Sequence, residues 1–152
     1  MIARLYDPLG ILSPLIVRGK ILMQQIWKES LDWDDVLTNS LLKKWKSFYK
    51  ELLTVNQLKI PRWLGLFSGS KFEIHGFSDA SEQAICAVIY FRVLGSGFSQ
   101  SNLVLAKTKI APLKTQSTPR LELCAALLLC KLVSSLLSAF DFSEIPIHLL
   151  QR

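Results

Sequence analysis

The chain has 152 residues, half of them apolar, with 18 Lys and Arg against 12 Asp and Glu for a net charge of +6. That length buries one core or two very small ones. The apolar run that raises the question of a membrane, Leu123 to Cys130, is eight residues long and closes at Lys131, short of the roughly 20 residues that a spanning helix needs.

The opening stretch, Met1 to Gly10, has charges at Arg4 and Asp7 and breaks at Pro8 and Gly10. It lacks the basic flank, apolar centre and cleavage site of a secretory leader. The expectation is an intracellular protein, cytoplasmic or nuclear, that is not secreted and has no membrane partner. Cys86, Cys124 and Cys130 are odd in number with no C-x-x-C spacing, which predicts buried, reduced thiols.

Ser13 and Pro14 suit an N-cap and a first helical position, and Leu15, Ile16, Leu22, Met23, Ile26 and Trp27 recur at helical spacing, predicting a helix from Pro14 to Glu29. A second, from Ser40 to Leu53, sets Leu41, Leu42, Trp45, Phe48, Tyr49, Leu52 and Leu53 on one stripe and lysines on the other side, the usual division between core and solvent. Gly65, Ser68, Gly69 and Ser70 punctuate the chain and mark a boundary between halves. The period then changes from helical to alternating. A strand through Phe72 to Phe77 leads to a turn at Asp79, Ala80 and Ser81. A second runs from Ala84 to Val93, Gly95 to Gly97 make the next turn, and Leu103 to Ala106 form a third. Three strands with short turns predict an antiparallel meander. Thr118 as N-cap and Pro119 open a helix that is apolar nearly all round through Leu137, and Ile145 to Leu150 read as a last strand.

Between Glu82 and Glu122 there is no acid, while Arg92, Lys107, Lys109, Lys114 and Arg120 accumulate. A basic loop of that kind favours a polyanion, though a solvated loop with no ligand explains the charge equally well. Asp79, just past the first strand, and Glu122, in the first turn of the apolar helix, each have a plain structural reading: Asp suits turns, and a helix dipole favours a carboxylate in its first turn. His75 and His148 read as satisfied histidines within apolar strands.

The order of these features carries more than any one of them. Gly76-Phe77-Ser78-Asp79-Ala80-Ser81, Ala106-Lys107-Thr108-Lys109-Ile110-Ala111-Pro112-Leu113 and Thr118-Pro119-Arg120-Leu121-Glu122-Leu123-Cys124-Ala125-Ala126 together resemble a ribonuclease H module of the BEL/Pao class of LTR retrotransposon polyproteins. Tyr6 to Pro14, Gln24 to Trp27 and Asp32-Trp33-Asp34 are similar to the stretch after the reverse-transcriptase palm in these elements. The resemblance implies an α+β chain: a helical, thumb or connection-like segment over residues 1–68, then a ribonuclease H-like domain over 69–152. That domain would hold the meander, the buried helix and the start of a parallel strand, truncated at its C-terminus.

The activity implied is hydrolysis of the RNA strand of an RNA:DNA hybrid during reverse transcription, with two Mg2+ or Mn2+ held by a cluster of acids. Asp79 and Glu122 match two of those acids, as metal ligands and catalytic groups, and Lys107, Lys109 and Arg120 flank them as candidates for phosphate contacts. In the family a third acid follows the last strand, where this sequence reads Leu149-Leu150-Gln151-Arg152. The resemblance therefore implies a polyprotein fragment that is non-catalytic as this chain, with hybrid and the remaining polyprotein domains as partners. The alternative is a nucleic-acid-binding or interaction module reused by the host.

Overall fold

The structure, a computed structural model, describes residues 5–32, 34–67, 69–140 and 144–152. Arg4, Trp33 and Ser68, used in the sequence reading, lie outside the described residues. Helices α1 (Ser13–Lys28) and α2 (Asn39–Thr54) form where the 3.6-residue period predicts them. Their details differ. Ser13 is buried as the first helical residue, and Leu12 is the cap residue without a side-chain bond. The Asp7 carboxylate instead accepts the backbone N–H groups of Ile11 and Leu12 at 2.9 and 2.8 Å, so the preceding turn satisfies donors ahead of the helix.

The two helices pack together, with Arg18 paired to Glu51 and Lys44 Nζ donating to Gln25 Oε1 at 2.9 Å. Of the α2 stripe only Leu41 and Phe48 are buried, while Tyr49 and Leu53 are exposed. A seven-residue stripe is wider than the surface one neighbouring helix covers.

The next elements are β1 (Lys71–Ala80), β2 (Ala84–Gly95), β3 (Phe98–Ile110), α3 (Thr118–Ala139) and β4 (Ile147–Gln151). They form one mixed sheet in the order β3-β2-β1-β4, with β1, β2 and β3 antiparallel in succession and β4 parallel to β1. The α+β content is the expected one. Several boundaries move, however. Asp79 and Ala80 belong to β1, because its pairing with β2 continues to Ala80↔Ile85. The segment read as a basic loop is the second half of β3, where Lys107 pairs with Ala87 and Lys109 with Ile85. A bulge opposite Ile89 and Tyr90 inserts Val104, so Val104 and Leu105 both pack on the core. β4 starts at Ile147 rather than Ile145; Pro146 precedes it, and its carbonyl accepts Ile74 N–H at 2.9 Å.

One stripe of α3 covers the sheet, burying Leu121, Ala125, Leu128, Leu129, Leu132, Val133 and Leu136 with Ile74, Ile85, Ala87, Ile89 and Phe91. The helix is not covered all round, since Leu123 is 70% and Leu127 55% exposed. By length and composition alone α3 is long and apolar enough to cross a membrane. Here its buried stripe is spent on the sheet.

The N-terminal segment docks on the outer edge of β3. Ala106 N–H donates to Leu9 O at 2.8 Å, and Gln24 Nε2 donates to Ala111 O at 2.7 Å. Gly10 makes this approach possible: its φ is +73°, and a Cβ there would lie 1.7 Å from the Ala106 carbonyl oxygen. Gly10→Ala is expected to lower stability by about 1–3 kcal/mol in urea denaturation and to speed hydrogen exchange at the Ala106 amide. An unchanged midpoint and exchange rate would refute this docking.

Candidate functional site

The level of each acid along the sheet follows from one contact. A Cβ at Gly76 would meet Leu129 Cδ1 at 2.8 Å, which places Leu129 over the middle of β1. The N-terminal half of α3 lies toward the other end, where Arg120 and Leu121 share a groove with Ile85 and Lys109, and Ile85 pairs with Ala80. The helix therefore runs antiparallel to β1. Glu122 is seven residues before Leu129, about 10 Å along the helix at 1.5 Å per residue. Asp79 is three residues beyond Gly76, about 10 Å along the strand at 3.3 Å per residue. The two acids reach the same level at the same end of the sheet.

They approach it from different sides. Ile74, Gly76 and Ser78 are the buried positions of β1, so alternation puts Asp79 with Glu73, His75 and Phe77 on the face away from α3. Asp79 is exposed, and its Oδ1 accepts the Ala80 N–H at 2.8 Å. Glu122 lies in line with Ala126 and Leu129, at i, i+4 and i+7; Glu122 and Ala126 are half-buried and Leu129, which meets β1 at Gly76, is buried. Ser117 takes the cap position without a side-chain bond, one residue earlier than the sequence suggested, and the helix has no acid in its first turn. Glu122 is thus in the second turn, where the helix dipole has largely faded. Among the described residues this half-buried carboxylate has no hydrogen-bond or ion-pair partner. Below α3, Ser78 Oγ is likewise buried without a partner among the described residues. Hard oxygen donors of this kind suit Mg2+ or Mn2+ in chemistry, although neither acid falls in a cluster of three donors among the described residues.

The opposite side of α3 is cationic. A groove of about 330 Å³ between the ends of β2 and β3 and the N-terminal half of the helix is lined by Lys109, Arg120 and Lys131, with Gln116 and Cys124 between them. Lys107 is exposed one alternation step further along the same face of β3. None of these four cations has an ion-pair partner among the described residues. The structure thus brings together Lys109 and Arg120, sets Lys107 beside them, and adds Lys131, which the sequence reading missed. Arg120, Cys124, Leu127 and Lys131 follow i, i+4, i+7, i+11, and that spacing was the available signal.

The thiols are free, but Cys124 and Cys130 are exposed rather than buried, and only Cys86 is partly covered. Cys86 stands directly across from Asp79 on β2. Burial pushes its thiol above the ordinary range; a hydrogen bond to the Asp79 backbone opposes this, and the Asp79 charge adds to it.

A family model described as the Pao retrotransposon-like RNaseH-like domain matches residues 1–150 of the chain. No curated protein matches it.

A thiol-reactive disulfide reagent at neutral pH is expected to consume two thiols rapidly, Cys124 and Cys130, and the third slowly. Asp79→Asn should accelerate the slow thiol, since it removes the carboxylate beside Cys86. Three equivalent thiols, or a slow phase indifferent to that substitution, would contradict the placement of Asp79.

Proposed function

Because the chain belongs to the Pao retrotransposon-like RNaseH-like domain family, we propose that it engages RNA:DNA hybrid as one segment of a retrotransposon polyprotein whose activity is metal-dependent hydrolysis of the RNA strand during reverse transcription. The observation that carries this reading is the unpaired cationic groove beside the level of the two acids. Three cations along a groove follow a phosphate backbone, and such contacts fix position and affinity without reading sequence. Asp79 and Glu122 would hold Mg2+ or Mn2+, which when bound supplies polarisation of the scissile phosphate and a more acidic attacking water. The protein's own part is to position the backbone through Lys109, Arg120 and Lys131 and to offer two carboxylates at one end of the sheet.

As this chain, the reading favours binding over cleavage. On β4 the position paired with Ser78 is Gln151, and Arg152 follows it, its backbone N–H donating to Ser78 O at 3.1 Å. Beside Asp79 the neighbouring strand thus brings an amide and a cation where a two-metal centre needs negative charge. A binding module that retains the groove without chemistry, in an element or reused by a host, fits the same residues.

Hybrid binding followed by fluorescence anisotropy should be saturable at low salt, with a slope of log K against log salt near about −3 for three phosphate contacts. Lys109→Gln and Arg120→Gln should each reduce the slope by about 1. Labelled hybrid in Mg2+ or Mn2+ should show no cleavage above an Asp79→Asn control. Absence of binding at low salt would sink the hybrid-binding reading, whereas cleavage that Asp79→Asn abolishes would show that the chain is a working nuclease.

A further inference from the structure

The face of the sheet away from α3 carries a second, separate constellation. Glu73 and His75 are two residues apart on β1 and so share a face, and His148 stands directly across from His75 in the parallel pairing of β4 with β1. Their donor atoms all lie within 4.8 Å of one another. His75 Nε2 is 2.9 Å from Glu73 Oε2, and the two imidazole rings stack with centroids 4.8 Å apart at 29°. We propose that Glu73, His75 and His148 form a binding site for a borderline divalent transition metal, of which Zn2+ is the type, that clips β4 to β1.

The donor chemistry selects the ion. Two imidazoles and one carboxylate suit Zn2+ and its neighbours, which take three protein ligands and leave a fourth position for water. Mg2+ prefers an all-oxygen shell and is a poor fit. The distances are close to what binding requires: a tetrahedral centre with bonds near 2.0 Å holds its donors about 3.3 Å apart. The Glu73–His75 edge opens by a few tenths of an ångström, and the metal takes the place of the proton now shared between them. The remaining edges close by rotation of side chains whose backbones are already in register. The hydrogen bond from His75 outweighs desolvation and, helped by Arg92 on β2, keeps the Glu73 carboxyl below its ordinary range, so the oxygen is offered ionised.

The site is distinct from the acid pair. His75 and Asp79 are four residues apart on β1, about 13 Å at 3.3 Å per residue, too far to share an ion. Its mechanical effect follows from the position of β4, an edge strand whose five residues are all exposed. A metal bridging the two strands adds a side-chain tie to a strand that buries little of its own.

The test uses the 152-residue chain without a tag. Calorimetric titration with Zn2+ should give one saturable site, with a rise in melting temperature of several degrees that a chelator reverses and that equimolar Mg2+ does not reproduce. The chain has only two histidines, so imidazole proton resonances of the unaltered protein read both ligands, and Co2+ should shift or broaden the pair together. His148→Ala, on the exposed edge, and Glu73→Gln should each weaken binding at least tenfold, while Cys124→Ser with Cys130→Ser should leave it intact. The proposal is overturned if binding is not saturable, if only one histidine responds to Co2+, if affinity ignores His148→Ala and Glu73→Gln, or if the Co2+ spectrum carries a thiolate charge-transfer band.

Discussion

Helix and sheet meet tightly at Gly76, and the levels of the candidate side chains follow from that contact. A side chain there would collide with Leu129 from α3 and with Leu149 from β4, at 2.8 and 2.7 Å. With only hydrogen in that place, Leu129 settles directly on β1 and Leu149 closes over the same spot from the neighbouring strand. The helix is thereby fixed in height along the strand. Glu122 comes level with Asp79, and Arg120, Cys124 and Lys131 turn toward β3 because they lie on the other side of the same helix. β4 is held in the register that sets His148 against His75.

β1 is the strand on which the two faces of the molecule are divided. It pairs with β2 along its whole length and with β4 from Ile74 to Ser78, so its side chains alternate without interruption. Ile74, Gly76 and Ser78 go under α3, while Glu73, His75, Phe77 and Asp79 are left on the other face. Ten residues therefore supply the core contact, one member of the acid pair and two members of the histidine-containing cluster. A slip of one residue would exchange the faces and bury Asp79 and Glu73 in the apolar interior, at a cost of several kcal/mol for each unpaired charge. The pairing with β2 over all ten positions prevents it.

Much of this was legible in the sequence where a single period ran unbroken. Both N-terminal helices, the meander and the long helix could be placed from apolar spacing, because burial on one face imposes that spacing. Errors came where the period was interrupted. Val104 adds a residue to β3, so the alternation changes phase and the strand seemed to end at Ala106. Lys107 and Lys109 then resembled a loop, although they alternate with Thr108 on an exposed strand end. The cap of α3 was misplaced by one residue because Ser117 and Thr118 are both cap formers side by side before Pro119, and that residue decides whether Glu122 falls in the first turn. The cluster of Glu73, His75 and His148 was beyond reach for a different reason. Its members are joined by register between strands 73 residues apart in sequence, counting from His75 to His148, and no local pattern encodes that pairing.

The same reasoning changes the weight of the two acids. In a first turn Glu122 would have had a dipole to explain it, worth about 0.3–1 kcal/mol. One residue further from the cap, half-buried and without a partner among the described residues, it has lost most of that explanation. A chain selected for stability alone has no use for a carboxylate there, since Gln or Ala serves a helix as well or better. Asp79 is different: it is exposed, bonds its own neighbour's N–H and is inexpensive to keep. Of the two acids, Glu122 is therefore the one whose position local structure explains less, and Asp79 stands level with it at the same end of the sheet.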